Sequence, residues 1–290
     1  MKPEFTILKG NINVRSIRSE SPDTLWGHVG NPCIIGYMLL LIATMSYSQT
    51  ASGTSIVVGW SDSIIVIGAD SRLTSSDDST FSALTCKIIV INDSIVFVHS
   101  GIFTDPSGLD MQSAIRFYLS ANGTLDDRLA KFRDSVVAKL TPIFVRRKKE
   151  RPDNFKRFKP LDAASCIVVA VSKDSLRMRR IDFSGIILPD IPEGFWISGN
   201  IYDPIRIDGH VQTEPFLMPL GHTEMTFAFS DSFHARNIIM LPQDFPRIVF
   251  SLISLETVLH PRDIGDPIDI IRITRGKHPE WIHQQKEPCQ

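Results

Sequence analysis

The residues with the clearest chemical potential begin with Thr54, which directly follows Gly53 in the stretch GTSIVVGWSDSIIVIGADSR. Asp70 comes sixteen residues after Thr54, Arg72 lies two positions beyond it, and Lys87 follows later in the chain. A threonine hydroxyl is a weak nucleophile unless an adjacent base takes its proton. This spacing therefore raises the question of which elements bring the hydroxyl, the acid and the lysine together.

Several other chemistries find no support in the sequence. The four cysteines are widely spread and form no CxxC pair, so neither a disulfide framework nor a zinc site is predicted. The histidine spacings of metal-binding helices and a glycine-rich phosphate loop are absent. No serine or cysteine partner is identified for the histidines, which gives a Ser-His-Asp hydrolase little support. The formal net charge of −1 gives no reason to expect nucleic acid as a partner.

The elements that must position these residues are mainly short strands at first. The WSDS tetrapeptide joins two β-branched runs and predicts a hairpin, and Asn-Asp joins the next pair. The polar stretch from Leu73 to Leu84 is predicted as a loop. The predicted strands are Ser55–Gly59, Ser63–Gly68, Lys87–Ile91, Ser94–Ser100, Ala164–Ser172, Arg177–Asp182 and Ile268–Thr274, with the EMTFAFS segment also strand-like.

Helices are predicted in the middle and near the end of the chain. One covers Asp105–Ser120 with Thr104 or Asp105 as its cap, and a second starts at Thr124 with one apolar face. A third follows Asp244. The basic stretch Val145–Pro160 is predicted as a solvated loop, with a docking patch for an acidic partner as the alternative. Runs of strands with segregated helices indicate an α+β fold.

The first 53 residues differ in character from the rest and are predicted to be a leader. The run from Cys33 to Met45 has no charge and, with the small polar residues that follow up to Ser48, suits a signal peptide. A folded apolar helix and an over-extended gene start are the alternatives. If residues 33–48 act as a signal, the protein is secreted or periplasmic; otherwise it is cytoplasmic. Residues 54–290 are predicted to form one domain.

Five further segments fit one known pattern in order and spacing. GADSR resembles AADSR, and CKIIVINDSIVFVHSG resembles K-I-x-x-I-N-D-x-I-x-x-x-x-A-G. RRIDFSG, FWISGN and HPRDIGDPIDIIRIT resemble the later motifs of the same pattern. The span from Gly53 to about Arg275 is thus similar to the proteasome-type N-terminal nucleophile hydrolases, which include proteasome β subunits and bacterial proteasome-like ring proteases. Gly53-Thr54 resembles their processing junction.

This resemblance implies a four-layer αββα sandwich and a threonine peptidase whose Thr54 becomes the first residue after leader removal, by autoprocessing or by other peptidases. The α-amine of Thr54 would be the base, and a neighbouring Lys87 cation would lower its pKa. Asp70 would hold Lys87, Arg72 would fix the aspartate loop, and Gly101 would donate its N–H to the oxyanion.

The remaining site residues also come from the resemblance. Ser198, Asp263 and Asp266 would orient the amine of Thr54. Asp266 and Pro267 depart from the family's usual serine and glycine, which bears on the level of activity. The substrate pocket would be lined by Leu73, Thr85, His99 and Phe103.

The partners that the resemblance implies are a peptide or protein substrate and further copies of the chain in a homo-oligomer. No cofactor or metal is required, and a membrane enters only through the leader segment. Two other classes stay open: a non-catalytic scaffold subunit of the same fold, and an amidohydrolase that acts on a small amide. The joint presence of Thr54, Asp70 and Lys87 argues against the scaffold, since an inert subunit has no need of them.

Overall fold

The computed structural model describes residues 54–74, 82–102, 104–105, 108–150, 152–155, 159–188, 195–207, 210–221, 224–236 and 240–284. In chain order its strands are β1 (Ser55–Trp60), β2 (Ile64–Asp70), β3 (Arg72–Thr74), β4 (Ser82–Leu84), β5 (Ile88–Asn92), β6 (Ile95–Gly101), β7 (Thr104–Asp105), β8 (Leu109–Asp110), β9 (Lys159–Val171), β10 (Leu176–Ile187), β11 (Phe195–Tyr202), β12 (Arg206–Ile207), β13 (His210–Val211), β14 (Phe216–Gly221), β15 (Ile268–Thr274) and β16 (Glu280–His283). The helices are α1 (Met111–Leu119), α2 (Leu125–Glu150), α3 (Glu224–Arg236) and α4 (Phe245–Leu259), with short 3₁₀ turns at Pro152–Phe155 and Pro242–Asp244.

Two five-stranded antiparallel sheets form the framework. The first sheet has the order β14-β1-β2-β15-β16, and the second has the order β11-β10-β9-β6-β5. The strand pairs β3-β4, β7-β8 and β12-β13 form small separate ribbons. The predicted α+β class is confirmed by this mixture of sheets and four helices.

The central strands of the first sheet are buried on both faces. Every residue of β1 is buried, and so is every residue of β2 after Ile64. A strand with both faces covered reads as a near-continuous apolar run instead of an alternating one. This explains the SIVVGW and IIVIGAD sequences, which place Thr54 just before one buried strand and Asp70 at the end of its neighbour.

Two apolar clusters make the core. One joins α1 and α2 to the second sheet, with Phe132 of α2 in edge-to-face contact with Phe97 of β6 and Phe183 of β10. The other joins residues of both sheets, including Ile67 of β2, Val98 of β6 and Ile167 of β9. The end of β2 and the start of β5 therefore meet inside the protein, where Asp70 and Lys87 are found.

Local sequence predictions differ from the structure in several places; the stretch predicted as a loop from Leu73 to Leu84, for example, includes residues of the paired strands β3 and β4. The EMTFAFS segment is part of the helix α3, not a strand, and α2 continues through Val145 to Glu150, so the basic stretch begins as helix. The helix predicted from Asp105 begins at Met111 instead, because Asp110 is its N-cap and accepts a hydrogen bond from the N–H of Ser113.

In the described ranges, no helix is both long enough and apolar enough to span a membrane. The predicted leader, residues 1–53, lies outside the described residues, so the signal-segment prediction stays a prediction.

Candidate active site

Thr54 lies at the entry to β1 and is 6% exposed. Next to it is the end of β14, where Gly221 pairs with Ser55 and has a φ of +79°. A Cβ at Gly221 would lie 2.0 Å from the carbonyl oxygen of Thr54. Only glycine tolerates both this backbone conformation and this approach, so β14 closes directly against the threonine.

Asp70 and Lys87 form a buried ion pair beside this strand entry. The Lys87 Nζ lies 2.7 Å from Asp70 Oδ1, and the two side chains are 2% and 0% exposed. The same oxygen accepts the backbone N–H of Ser55 at 2.8 Å. One carboxylate oxygen thus joins the lysine to the peptide group that immediately follows Thr54.

The second oxygen of Asp70 is held by two backbone donors. Oδ2 accepts the N–H of Arg72 at 3.3 Å and that of Gly265 at 3.4 Å. The Arg72 guanidinium donates to the carbonyl of Pro261 and lies 2.4 Å from where a Cβ of Gly265 would be. The loop after α4 is therefore clamped onto the aspartate, and the absence of a side chain at Gly265 makes room for this contact.

Burial dominates the electrostatics of the ion pair. Removal from water lowers the pKa of Lys87, and the attraction and hydrogen bond of Asp70 oppose that shift. Burial likewise raises the pKa of Asp70, opposed by Lys87 and by the N–H groups of Ser55 and Gly265.

A second buried contact supports the same strand end from the first sheet. Ser71 donates its hydroxyl to Asp269 at 2.9 Å, and its N–H donates to the carbonyl of Pro267 at 3.0 Å. Asp269 is 1% exposed. The sequence analysis missed Asp269, although its place in the HPRDIGDPIDIIRIT segment, after the predicted Asp266, is a signal that could have indicated it.

Gly101 ends β6 with a φ of +89°. A Cβ at this position would lie 2.5 Å from the carbonyl oxygen of Ala163 and 2.7 Å from the Cα of Ala164. Only glycine therefore fits at this position, and no side chain covers the backbone at the end of β6. This geometry is compatible with the oxyanion role, which stays a prediction.

The structure separates Ser198 from these residues. It lies on β11, the edge strand of the second sheet, with β10 and β9 between it and β6. Its hydroxyl donates to the carbonyl of Ser184 on β10 at 3.4 Å. The strand that adjoins Thr54 is β14, and the role of Ser198 in orienting the amine stays a prediction.

Asp263 and Asp266 lie in the loop that follows α4. Asp263 is half-buried and its N–H donates to the carbonyl of His260, whereas Asp266 is exposed. Gly265 between them is the residue of this loop that reaches Asp70. The contact that this loop makes with Asp70 is through a backbone N–H, and the roles of Asp263 and Asp266 stay predictions.

Of the four predicted pocket residues, the structure describes the side chains of His99 and Thr85 but not those of Leu73 and Phe103. His99 is buried in β6 and stacks on Phe97 with 5.7 Å between ring centroids. Thr85 is half-buried and its N–H donates to the carbonyl of Ser71. Phe103 and the side chain of Leu73 lie outside the described part of the structure, so their role in the pocket stays a prediction.

His99 is close enough to Lys87 to be affected by its charge. Burial, together with the Lys87 charge, lowers the pKa of His99 to about 3. A neutral imidazole is therefore held beside the ion pair at neutral pH. Next to Lys87, Cys86 is disulfide-bonded, which the sequence analysis did not predict, whereas Cys166 is free and buried.

Metal-ligating side chains do not cluster at this site in the described ranges. The one group of three that the described residues contain, Glu224, Glu256 and His260, lies at the junction of α3 and α4. The described groups around Thr54 are its hydroxyl, the Asp70–Lys87 ion pair and backbone N–H groups.

Comparison with known proteins finds similarity among solved structures. No family model matches the chain, and none of the curated proteins matches it. Among solved structures, the chain is similar to a mutant of Anbu from Hyphomicrobium sp. strain MC1, with 16% identity over 79% of this chain and 87% of that chain and a TM-score of 0.44. The functional argument therefore rests on the geometry around Asp70.

Proposed function

We propose that this protein is a threonine-type hydrolase of peptide bonds, with Thr54 as its nucleophile after removal of the leader. The observation that carries the proposal is the shared oxygen of Asp70, which binds both Lys87 and the N–H of Ser55. A buried ion pair is costly and stabilises a fold only weakly. Its attachment to the residue after a threonine is better explained by a need to place charge beside that threonine.

Each group then has a task in the reaction. The Thr54 hydroxyl attacks the substrate carbonyl carbon while the α-amine takes the hydroxyl proton. Lys87 lowers the pKa of that amine by like-charge repulsion, which keeps part of it neutral near pH 7. The N–H of Gly101 donates to the oxyanion of the tetrahedral intermediate.

The intermediate collapses with cleavage of the substrate C–N bond. The leaving amine departs with the proton that the α-amine had taken, and the acyl group stays on the Thr54 oxygen as an ester. Water then attacks the ester, again with the amine as base, and restores the free hydroxyl. In this proposal Asp70 and Arg72 are positioning residues, and the two sheets with helices on their outer faces form the αββα sandwich of this enzyme class.

The decisive experiment is intact-mass analysis and N-terminal sequencing of the purified full-length protein beside its Thr54→Ala variant. We expect the wild-type chain to begin at Thr54 and the variant to keep upstream residues. Thr141→Ala is a matched control, because Thr141 is a half-buried threonine of α2 whose hydroxyl donates to the carbonyl of Val137. It should process as the wild type does.

A substrate comparison separates the proposal from its alternatives. The processed enzyme should hydrolyse short peptides that carry a fluorescent leaving group on a C-terminal amide. Lys87→Met should abolish this hydrolysis. Hydrolysis of small acylated amines without peptides would instead indicate an amidohydrolase. If wild type and Thr54→Ala both keep their upstream residues, the α-amine base never forms and the scaffold alternative replaces catalysis.

A further inference from the structure

A cluster of two carboxylates and an imidazole joins the start of α3 to the end of α4. Glu224 is the first residue of α3, whereas Glu256 and His260 lie four residues apart at the end of α4 and so face the same side. The ligand atoms of these three side chains all lie within 4.8 Å of one another. The His260 Nε2 is 3.3 Å from Glu224 Oε2 and 3.8 Å from Glu256 Oε2.

Glu256 is the buried member of the Glu224–Glu256–His260 cluster. Its side chain is 0% exposed, and its Oε1 accepts the N–H of Met225 at 2.8 Å. Its Oε2 is buried without a hydrogen-bond partner among the described residues, and the same holds for Oε2 of Glu224. A buried carboxylate oxygen left without a donor is costly, and here two such oxygens point at one imidazole nitrogen.

A divalent cation would satisfy this arrangement. Two carboxylate oxygens and one imidazole nitrogen form a donor set that Zn²⁺ accepts, with water in the fourth position. The Met225 N–H on Glu256 Oε1 is the kind of outer contact that fixes the orientation of a ligating carboxylate. Glu224 and His260 are 25% and 27% exposed, which leaves a route for an ion to enter.

The surrounding charges are consistent with a cation. The N-terminus of α3 carries a partial positive charge, but the two carboxylates outweigh it. The C-terminus of α4 adds a further partial negative charge to the cluster.

We propose that Glu224, Glu256 and His260 bind one divalent transition-metal ion, with Zn²⁺ the best match, and that this ion ties α3 to α4. The site also fixes the origin of the loop that reaches Asp70, because the carbonyl of His260 accepts the N–H groups of Asp263 and Ile264. The proposal does not depend on Thr54 being a nucleophile.

The test is titration of chelator-treated full-length protein with ZnCl₂ by calorimetry, combined with thermal unfolding. We expect one Zn²⁺ per chain, a dissociation constant in the micromolar range or tighter, and a rise in Tm on addition of the ion. Glu256→Gln and His260→Ala should each weaken binding by at least about tenfold. Thr54→Ala should bind Zn²⁺ as the wild type does, which keeps this test separate from the proposed hydrolase activity.

A matched control uses the other histidine–carboxylate pair at the surface. His278 lies 3.9 Å from Asp93, and both are largely exposed, so His278→Ala should leave Zn²⁺ binding unchanged. If Glu256→Gln does not fold, the partly exposed His260→Ala and the visible spectrum of Co²⁺-loaded wild type carry the test. Absence of saturable binding to wild type, or equal binding by wild type and His260→Ala, would overturn the proposal.

Discussion

A single carboxylate oxygen organises the candidate site at the residue scale. Oδ1 of Asp70 accepts from the Lys87 ammonium and from the N–H of Ser55, while Oδ2 accepts from two further backbone groups. Loss of either charge leaves the other buried without its partner. The energetic consequence of such a loss is larger than the net contribution of the pair to folding.

Lys87→Met should therefore destabilise the protein strongly, by about 3–5 kcal/mol, because Asp70 becomes an uncompensated buried charge. The double variant Asp70→Asn/Lys87→Met should be less destabilised than Lys87→Met alone, since Asn is uncharged and can still accept the N–H of Ser55. Urea unfolding of both single variants and the double variant measures this coupling. Additive losses would show that the two side chains do not act as a pair.

His99 makes a pH-dependent contribution that destabilises the fold in acid. Its folded pKa is about 3, against 6.5 as its ordinary value. Between these values the unfolded chain binds a proton that the folded protein does not, so stability falls as pH drops below 6.5. At pH 5 the loss relative to neutral pH should be about 2 kcal/mol.

The His99→Leu variant should lack this part of the acid sensitivity, as measured by urea unfolding at pH 7 and pH 5. Leucine keeps the apolar contact with Phe97 and has no titrating group. His278→Gln is the control, because His278 is 79% exposed, and its pH dependence should match that of wild type. Equal losses of stability in wild type and His99→Leu would refute the assignment.

The candidate site was predictable where charge and spacing act together. Asp70 and Lys87 are charged residues at the ends of apolar strand runs, and such residues need a specific partner once buried. Ser198 was harder to place, because a Ser-Gly pair occurs in many strands and carries no information about which sheet holds it. Gly221 gave no signal, because its importance comes from the approach of Thr54 across β1 and β14, which only the fold brings about.

At the element scale, α4 is set unusually close to the first sheet by two strand glycines. A Cβ at Gly59 would lie 2.8 Å from the ring of Phe245, and one at Gly68 would lie 2.3 Å from Cγ1 of Val249 and 2.8 Å from Cδ1 of Ile253. The helix therefore rests on the backbone of β1 and β2. This contact also fixes the direction in which the loop after α4 returns to Asp70.

Gly68→Ala should destabilise the protein by about 1–3 kcal/mol, because the added methyl overpacks the contact with α4. Val249→Ala removes the atom that the methyl would meet, so the double variant should lose less stability than the sum of the single variants. Guanidinium unfolding of the three variants gives the coupling energy. A Gly68→Ala variant as stable as wild type would mean that α4 can shift away at no cost.

Strands and helices were predicted well where the apolar residues follow one clear pattern along the sequence, and less well where they do not. The buried runs of β1, β2 and β15 read as strands, and the apolar face of α2 read as a helix. The EMTFAFS segment alternates polar and apolar residues, which is typical of a strand. In the structure it forms the first part of the helix α3. The basic end of α2 was predicted as a loop because a run of Lys and Arg indicates exposure to solvent. These residues are also good helix formers, so the run does not distinguish an exposed helix from a loop.

At the scale of the whole molecule, the two apolar clusters share the second sheet. The cluster that includes Phe132 lies on one face of this sheet, and the cluster that includes Ile67 and Val98 lies on the other. The middle strands of the two sheets are β2 and β9, each with two strands on either side, whereas the strands at the sheet edges pair on one side only. Resistance to local opening should therefore decrease from the middle strands to the edge strands, because opening is most costly where most apolar surface is buried.

Native-state hydrogen exchange measured by mass spectrometry should therefore show the slowest amides in Ile64–Asp70 and in the buried half of β9, 163–171. The edge strand Glu280–His283 of the first sheet, whose residues are mostly exposed, should exchange earliest among the ten strands of the two main sheets. Because Asp70 ends the slowest strand, the Asp70–Lys87 pair should stay formed through every opening short of global unfolding. Early exchange at Ile64–Asp70 would show instead that the end of β2 at the candidate site opens on its own, which would argue against a preorganised site at Asp70.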